Sequence, residues 1–230
     1  MREMTAFDFE LVIGDKNWSS WSLRPWLAMR QAGLPFYERS IRLRQPDTKA
    51  QILPHSPAGT VPALKWNGIV IAESLAILET IADLFPAKRL WPEDAQARAM
   101  ARAASAEMHA GFTALRREMP MDILNRFPGQ GHTEEALDDA RRIIAIWREA
   151  RLRFGKLADA DEGFLFGRFG VADAMYAPVV TRFETYGVDP ATLGDEDGTA
   201  RAYMNAVLRL PAMQEWTAEA RAEMEERGLL

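Results

Sequence analysis

The apolar residues of this 230-residue chain change their spacing once, near Pro86, and this change limits the possible folds more than any other feature. Before it, strand-like stretches alternate with helix-like ones. After it, every apolar stretch has the three- and four-residue spacing of a helix. At about 100–200 residues per domain, the length suits two modest domains. We therefore predict an α/β domain over residues 1–86, a linker over 87–94 and an all-helical domain over 95–230.

The first domain opens with a strand, a helix and a second strand. Alternating apolar residues predict a strand from Phe7 to Ile13. Helical spacing begins at Leu23, and Gly33 suits the left-handed position that follows a helix end. Aromatic and β-branched residues predict the second strand over 36–43. A β-α-β order favours a parallel pair of strands joined by a right-handed crossover.

A hairpin and a helix complete the first domain. The pair Asn67-Gly68 lies between two short apolar runs, 61–66 and 69–71, and this is the strongest short-range hairpin signal. A helix then runs from Leu75 and ends before Pro86. The complete order is that of a thioredoxin-like domain, in which helices cover both faces of a mixed sheet.

The second domain is predicted to be a bundle of helices. Thr133 followed by two glutamates is a good helix start, because the acids lie near the positive end of the helix dipole. Pro178 should kink or break the segment that contains it. The helical stretches are 100–119, 137–154, 171–186, 199–209 and 211–227.

Composition excludes several classes of function. There is no cysteine, so disulfides and a cysteine nucleophile are excluded, and the three histidines lack metal-ligand spacing. A net charge of −5 with mixed signs argues against a nucleic-acid partner. No apolar run approaches the ~18 residues of a membrane span, and the mixed charges of the first residues are unlike a signal peptide. We expect a cytoplasmic protein without a metal, and its excess of arginine over lysine is typical of GC-rich bacterial genomes.

One motif, Ser56-Pro57-Ala58-Gly59-Thr60-Val61-Pro62-Ala63-Leu64, carries a proline inside a strand-like run. Proline removes a ladder donor and is normally an edge or bend residue. With a cis bond before Pro62, the backbone of Val61 would face a ligand, and an extended peptide could pair with it as an added strand. The alternative is a plain turn before the hairpin.

Two further motifs lie at predicted helix starts. Glu73-Ser74 precedes the helix at Leu75, where free N–H groups suit a carboxylate and Glu73 suits an ammonium group. Ser19-Ser20-Trp21-Ser22 precedes the first helix, and its hydroxyls can donate to an anion. Simple capping is the alternative at both places. No Gly-x-Ser-x-Gly sequence is present, which argues against a serine hydrolase.

A fourth motif, Phe169-Gly170-Val171-Ala172-Asp173, has the spacing of a capping box. Gly170 supplies no side-chain acceptor, but Asp173 can still accept a hydrogen bond from its N–H. This pattern indicates a structural role in starting a helix.

Taken in order, the four motifs resemble the cytosolic glutathione S-transferase family over nearly the whole chain. The segment 56–64 is similar to the family's Asn-Pro-x-Gly-x-Val-Pro-x-Leu stretch, with Ser56 in place of asparagine. The serine segment is most similar to the Ser-Ser-Cys-Ser of the zeta class, with Trp21 in place of cysteine. This resemblance implies a serine-type enzyme.

The resemblance also implies a role for each site residue. Ser19 would activate the thiol of glutathione, with Ser20 as the second candidate. Glutathione would be bound by Val61, Pro62, Glu73, Ser74 and His55. For His55, a solvated loop position is the favoured alternative. The electrophile would lie between the domains, against Trp18, Trp21, Met108, His109, Phe112 and Arg116.

Three functions follow from the resemblance, in this order. The first is detoxifying conjugation of glutathione to small hydrophobic electrophiles. The second is a glutathione-dependent cis-trans isomerase of the maleylacetoacetate type, for which Arg116 or Arg24 would bind a diacid. The third is a non-catalytic binding protein. The resemblance further implies a homodimer.

Overall fold

The computed structural model describes residues 9–230, so Phe7 of the predicted first strand lies outside the described part. The α/β half contains four strands and three helices. In chain order they are β1 Phe9–Gly14, α1 Ser20–Gln31, β2 Tyr37–Ile41, α2 Thr48–Ile52, β3 Ala63–Trp66, β4 Ile69–Ala72 and α3 Ser74–Leu84. A short 3-10 turn, Pro86–Lys88, follows.

The four strands form one mixed sheet in the order β2-β1-β3-β4. β1 pairs in parallel with β2, with Leu11 opposite Glu38, and antiparallel with β3, with Leu11 opposite Leu64. The predicted thioredoxin-like layout is confirmed. β1 is central in the sheet. Its side chains are almost all buried because both faces are covered, with Leu11 and Ile13 in the main core and Val12 in a smaller cluster.

The predicted hairpin and cis bond are both present. Asn67 and Gly68 have φ values of 47° and 81°, so both central residues are left-handed as a two-residue hairpin turn requires. The Val61–Pro62 peptide bond is cis. Gly33 follows α1 with φ 66°, as predicted for a residue that ends a helix.

The first helix begins three residues earlier than predicted, at Ser20 instead of Leu23. Ser19 holds the N-cap position, but its side chain makes no capping hydrogen bond. The serine segment is therefore the first turn of α1 itself, which the apolar spacing could not show because Ser20 and Ser22 are buried polar residues.

The second half is helical, as predicted. Its helices are α4 Ala95–Ala110, α5 Thr113–Glu118, α6 Glu134–Arg153, α7 Val171–Tyr186, α8 Thr199–Leu208 and α9 Pro211–Glu226. One prediction was wrong: the stretch 100–119 is not a single helix. It breaks at Gly111 and Phe112, and Phe112 adopts a left-handed φ of 54°. Buried residues continue at three- and four-residue spacing across the break, as Met108, Phe112, Leu115 and Met119 show.

Pro178 does not divide α7, contrary to the sequence-based expectation. The helix runs without interruption, and nearly every side chain in it is buried. Proline cannot donate to the carbonyl one turn earlier. Packing against α1, α4 and α8 holds the helix together, and the Thr181 hydroxyl donates to the Pro178 carbonyl at 2.8 Å.

Two contacts across the halves hold the loop between β1 and α1. Lys16 is almost fully buried and pairs with Glu38 and with Glu219 of α9, at 2.5 Å each. The indole of Trp216 donates to the Lys16 carbonyl at 2.8 Å. α9 therefore fixes the loop that carries Ser19. Within residues 9–230, no helix is both long and apolar enough to cross a membrane.

Candidate functional site

The two serines at the start of α1 differ in their partners. Ser19 Oγ donates to Ser22 Oγ at 2.7 Å, and Ser22 Oγ also accepts from the Gly14 N–H at 3.0 Å. Ser20 Oγ accepts from the guanidinium of Arg182 at 3.2 Å. Both hydroxyls are largely buried. Ser19 is therefore part of a hydrogen-bond network within the α/β half, whereas Ser20 contacts a residue of the helical half.

Trp21 is the centre of a cationic cluster between the two halves. The guanidinium of Arg24 lies 4.2 Å from its ring centroid and that of Arg116 lies 4.8 Å from it. The ring of His109 meets it edge-on at 5.5 Å. The tryptophan carries cation–π contacts that a cysteine at this position would not provide.

Arg182 joins Arg24 and Arg116 to make a group of three arginines. Within the described residues, their side-chain hydrogen bonds go only to backbone carbonyls and to Ser20. Burial lowers the pKa of Arg24 well below its usual value, and the charges of Arg182 and Arg116 add to this. Burial and Arg116 lower the pKa of Arg182 to about 10. The cluster is cationic and suited to an anion.

Glu73 and Ser74 lie at the start of α3, as predicted. Glu73 is the N-cap and adopts φ 90° and ψ 124°, a region that favours glycine. Its carboxylate accepts from the Leu75 N–H at 3.3 Å and from His109 Nε2 at 2.5 Å. Ser74 Oγ is buried and has no hydrogen-bond partner among the described residues. Strain and an unpartnered hydroxyl at one helix start are typical of a binding site.

The cis Val61–Pro62 bond lies beside the loop that leads to α1. β1 and β3 are antiparallel, with Val12 opposite Ala63, and continuing that register puts Val61 level with Gly14. Val61 is half-buried and packs against a small cluster that includes Val12. Its backbone thus lies at the end of the sheet where the serine segment begins.

His55 has a partner that the sequence did not indicate. Its Nδ1 lies 2.6 Å from Lys65 Nζ. Since Lys65 can only donate, His55 accepts in this contact. Burial, followed by the charges of Lys65 and Arg39, lowers the pKa of His55. A neutral His55 is a poor partner for a carboxylate, whereas Lys65 is a suitable one.

The six residues predicted to form the electrophile pocket lie in three separate places. Trp21 contacts His109 and Arg116 as described. Met108 is fully buried and Phe112 is nearly so, both in the main core. Trp18 lies under the guanidiniums of Arg44 and Arg227, at 4.4 and 5.4 Å.

Asp173 and Gly170 form the predicted capping arrangement at α7. Asp173 accepts from the Gly170 N–H at 2.9 Å and from the Leu165 N–H at 3.0 Å. A Cβ on Gly170 would lie 2.6 Å from the Leu90 carbonyl oxygen, which explains glycine at this cap. Burial raises the pKa of Asp173 to about 7.

Arg182 and Lys65 are not among the residues predicted from sequence. Arg182 lies in a helix in which almost every position is buried, and Lys65 lies in the hairpin strand β3. No motif surrounds either residue. For Arg182, one sequence signal was available: a charged residue within an otherwise apolar helical stretch indicates a buried side chain with a specific role.

Two family models match the chain. The model described as glutathione S-transferase, N-terminal domain, matches residues 18–84, and the model described as glutathione S-transferase, C-terminal domain, matches residues 130–219. Together they span well over half of the chain. The N-terminal match contains the serine, Val61–Pro62 and Glu73–Ser74 segments, and the C-terminal match contains α7 and Arg182.

Individual relatives agree with the family models. The chain is 29% identical to glutathione S-transferase 1 of Dianthus caryophyllus over 197 residues, which cover 83% of this chain and 82% of the relative. It is 29% identical to maleylacetoacetate isomerase of Pseudomonas aeruginosa over 182 residues, covering 75% and 80%. A Burkholderia glutathione transferase homologue, solved with bound glutathione, has the same fold, with a TM-score of 0.65, 20% identity and coverage of 94% and 98%.

Proposed function

The chain belongs to the glutathione S-transferase family, and from that premise we propose that it binds glutathione and adds its sulfur to small electrophiles. The α/β domain, proposed to end at residue 86, would hold the tripeptide. The helical domain, proposed to begin at residue 95, would supply most of the electrophile pocket. The observation that carries the proposal is the start of α3, where a strained Glu73 and an unpartnered Ser74 hydroxyl lie together.

The γ-glutamyl end of glutathione carries an ammonium group and a carboxylate. Glu73 provides the opposite charge for the ammonium group. Ser74 Oγ and the N-terminal end of α3 provide donors for the carboxylate. Because Glu73 also meets His109, a bound ammonium group would share or replace that contact.

The rest of the tripeptide would extend toward the cis proline. The backbone of Val61, at the end of the sheet where the serine segment begins, would pair with the cysteinyl unit as a short added strand. Lys65 would attract the glycyl carboxylate, and His55 would position Lys65 through their 2.6 Å contact. In this proposed pose the cysteinyl sulfur would point to the start of α1.

Activation of the sulfur requires that the thiolate be favoured over the thiol. A free cysteine thiol titrates near ~8.5, so little of it is ionised at neutral pH. A serine hydroxyl that donates to sulfur lowers that pKa, and so does the positive end of α1. A decrease of ~2 units corresponds to ~2.7 kcal/mol in favour of the thiolate. Ser19 and Ser20 are the two hydroxyls that we propose for this role.

A second function is favoured by the arginine cluster. Arg24, Arg116 and Arg182 have no carboxylate partner within the described chain, and a diacid would satisfy them. Maleylacetoacetate isomerase of Pseudomonas aeruginosa is among the relatives. Glutathione would then add to the substrate and be released again, as in a zeta-class enzyme. Trp21 in place of cysteine makes conjugation the first candidate.

One pair of assays separates these functions. Conjugation to chlorodinitrobenzene consumes glutathione in proportion to product, whereas isomerisation of maleylacetoacetate leaves its concentration unchanged. Ser74→Ala should raise the KM for glutathione in either assay, and Thr217→Ala, on α9, is the matched control. Failure of the wild type in both assays, with glutathione nonetheless bound, would leave the third function, a non-catalytic binding protein.

We also propose a cytoplasmic homodimer, as the family relationship suggests. In such a dimer the α/β domain of one subunit would contact the helical domain of the other. Sedimentation equilibrium gives the mass directly, and a monomer at micromolar concentration would contradict the proposal.

A further inference from the structure

Within residues 9–230, Ser19 donates its hydroxyl proton to a neighbouring serine, whereas Ser20 has no acceptor for its own. Ser19 donates to Ser22, whose oxygen also accepts from Gly14. Ser20 Oγ has Arg182 as its hydrogen-bond partner within residues 9–230, and a guanidinium can only donate. Ser20 therefore accepts one charged hydrogen bond and keeps its own proton for another acceptor.

Within the described residues, the guanidinium of Arg182 is held in place by hydrogen bonds, but it uses only part of its donors. It is 4% exposed, and its Nε donates to the Met119 carbonyl at 2.8 Å while Nη2 donates to Ser20. Its Nη1 is buried and has no partner in the described part of the chain. Because both terminal nitrogens are bonded to one carbon, the unpartnered nitrogen lies next to the one that contacts Ser20. A buried cation with a free donor at this place favours an anion beside it.

We propose that Ser20 is the hydroxyl that activates the thiol of glutathione, and that Arg182 positions and polarises it from the helical domain. The guanidinium draws electron density from Ser20 Oγ, which makes the Ser20 O–H a stronger donor. The sulfur loses its proton to solvent, and the thiolate then accepts the hydrogen bond from Ser20. The inference rests on the proposed function, since it needs glutathione in the site.

Other charged groups around Ser20 would also affect the ionisation of a bound thiol. Arg24, on the same helix, donates to the Ser20 carbonyl at 2.7 Å, and the guanidinium of Arg116 of α5 lies 4.8 Å from the Trp21 ring centroid. Both favour a thiolate. Glu73 of α3 opposes it, but it is paired with His109. Arg182 is distinguished from the other two arginines because it alone contacts the hydroxyl.

The test is the ionisation of bound glutathione, followed by the ultraviolet absorbance of the thiolate as pH is raised. Calorimetry first establishes that the wild type binds glutathione. Ser20→Ala should then reduce the thiolate fraction at neutral pH about tenfold, as expected for loss of a donor to the charged form. Ser19→Ala should change it by less than about threefold, because Ser19 donates elsewhere.

Arg182 is tested in the same titration. Arg182→Gln should reduce the thiolate fraction about tenfold, and Arg182→Lys should restore part of it. The double variant with Ser20→Ala should match Ser20→Ala within about twofold, because Arg182 acts through that hydroxyl. Arg151→Gln is the matched control. Arg151 is also a buried arginine of the helical domain, but it pairs with Asp161. This control should lose stability and keep the wild-type thiolate titration.

Each unfavourable outcome has a separate meaning. A wild type that does not bind glutathione overturns the proposed function. A wild type that binds it and forms thiolate, with Ser20→Ala unchanged and Ser19→Ala impaired, overturns the inference alone. The two serine variants test whether Ser20 is the activating hydroxyl, even where Arg182→Gln does not fold. Arg182→Met is the second variant that removes the charge, and wild-type thiolate titration in either folded variant would refute the role of Arg182.

Discussion

Glu73 offers a direct test of whether the start of α3 is built for binding or for stability. Its φ of 90° is strained for any residue except glycine. We predict that Glu73→Gly is more stable than Glu73→Ala, while both variants lose glutathione affinity equally. The two variants remove the same carboxylate, with its contacts to Leu75 and His109, and differ only in the presence of a Cβ.

The magnitudes follow from the geometry. A strained backbone of this kind costs about 1–3 kcal/mol, and glycine releases it. Glycine in turn adds about 0.5–1 kcal/mol of chain entropy to the unfolded state. Glycine also caps a helix better than alanine does. The net difference should be about 1 kcal/mol in favour of the glycine variant. Loss of a charge-assisted hydrogen bond to the ammonium group is worth about 1.5–3 kcal/mol, or roughly 10- to 100-fold in Kd.

Urea denaturation of both variants gives the difference in unfolding free energy, and calorimetry gives the two dissociation constants. Glu73→Gln is a useful third variant, because it keeps the cap acceptor and removes only the charge. An alanine variant as stable as the glycine variant would refute the interpretation of the strain. Wild-type glutathione affinity in both would refute the role of Glu73 in binding.

Three further outcomes are expected. Gly170→Ala should lose roughly 1–3 kcal/mol of stability by urea denaturation, because its Cβ would lie 2.6 Å from the Leu90 carbonyl oxygen. Burial raises the pKa of Asp173 from 3.8 to about 7, so the native state keeps a proton that the unfolded state releases. Stability should therefore fall as pH rises between these values, and urea titrations of Asp173→Asn should lack this slope. His109→Ala should tighten glutathione binding by up to about fivefold in calorimetry, because it frees Glu73 from its present partner.

The order of the secondary structure elements could be predicted from local signals. A two-residue hairpin turn requires two left-handed residues, and Asn-Gly is one of the few residue pairs that adopt this conformation readily. Gly33, Thr133 and Pro86 mark helix ends for equally local reasons. These residues determine backbone geometry within a few positions, so sequence alone was sufficient for them.

Features that depend on tertiary packing could not be predicted in this way. The break at Phe112 keeps the apolar spacing intact, so periodicity gives no sign of it. Pro178 is accommodated because α7 is surrounded by other helices, a property of the assembled core. The same holds for Arg182, since only the approach of α7 to α1 brings its guanidinium to Ser20.

The most direct test of the central claim is a calorimetric titration of the wild-type protein with glutathione at neutral and at mildly alkaline pH. The account predicts saturable binding with a dissociation constant below the millimolar range, accompanied at neutral pH by release of the thiol proton. It also predicts that this release diminishes at alkaline pH, where free glutathione is already ionised. Absence of binding in the millimolar range at both pH values would contradict the claim, because the protein would then have the family's fold without binding glutathione.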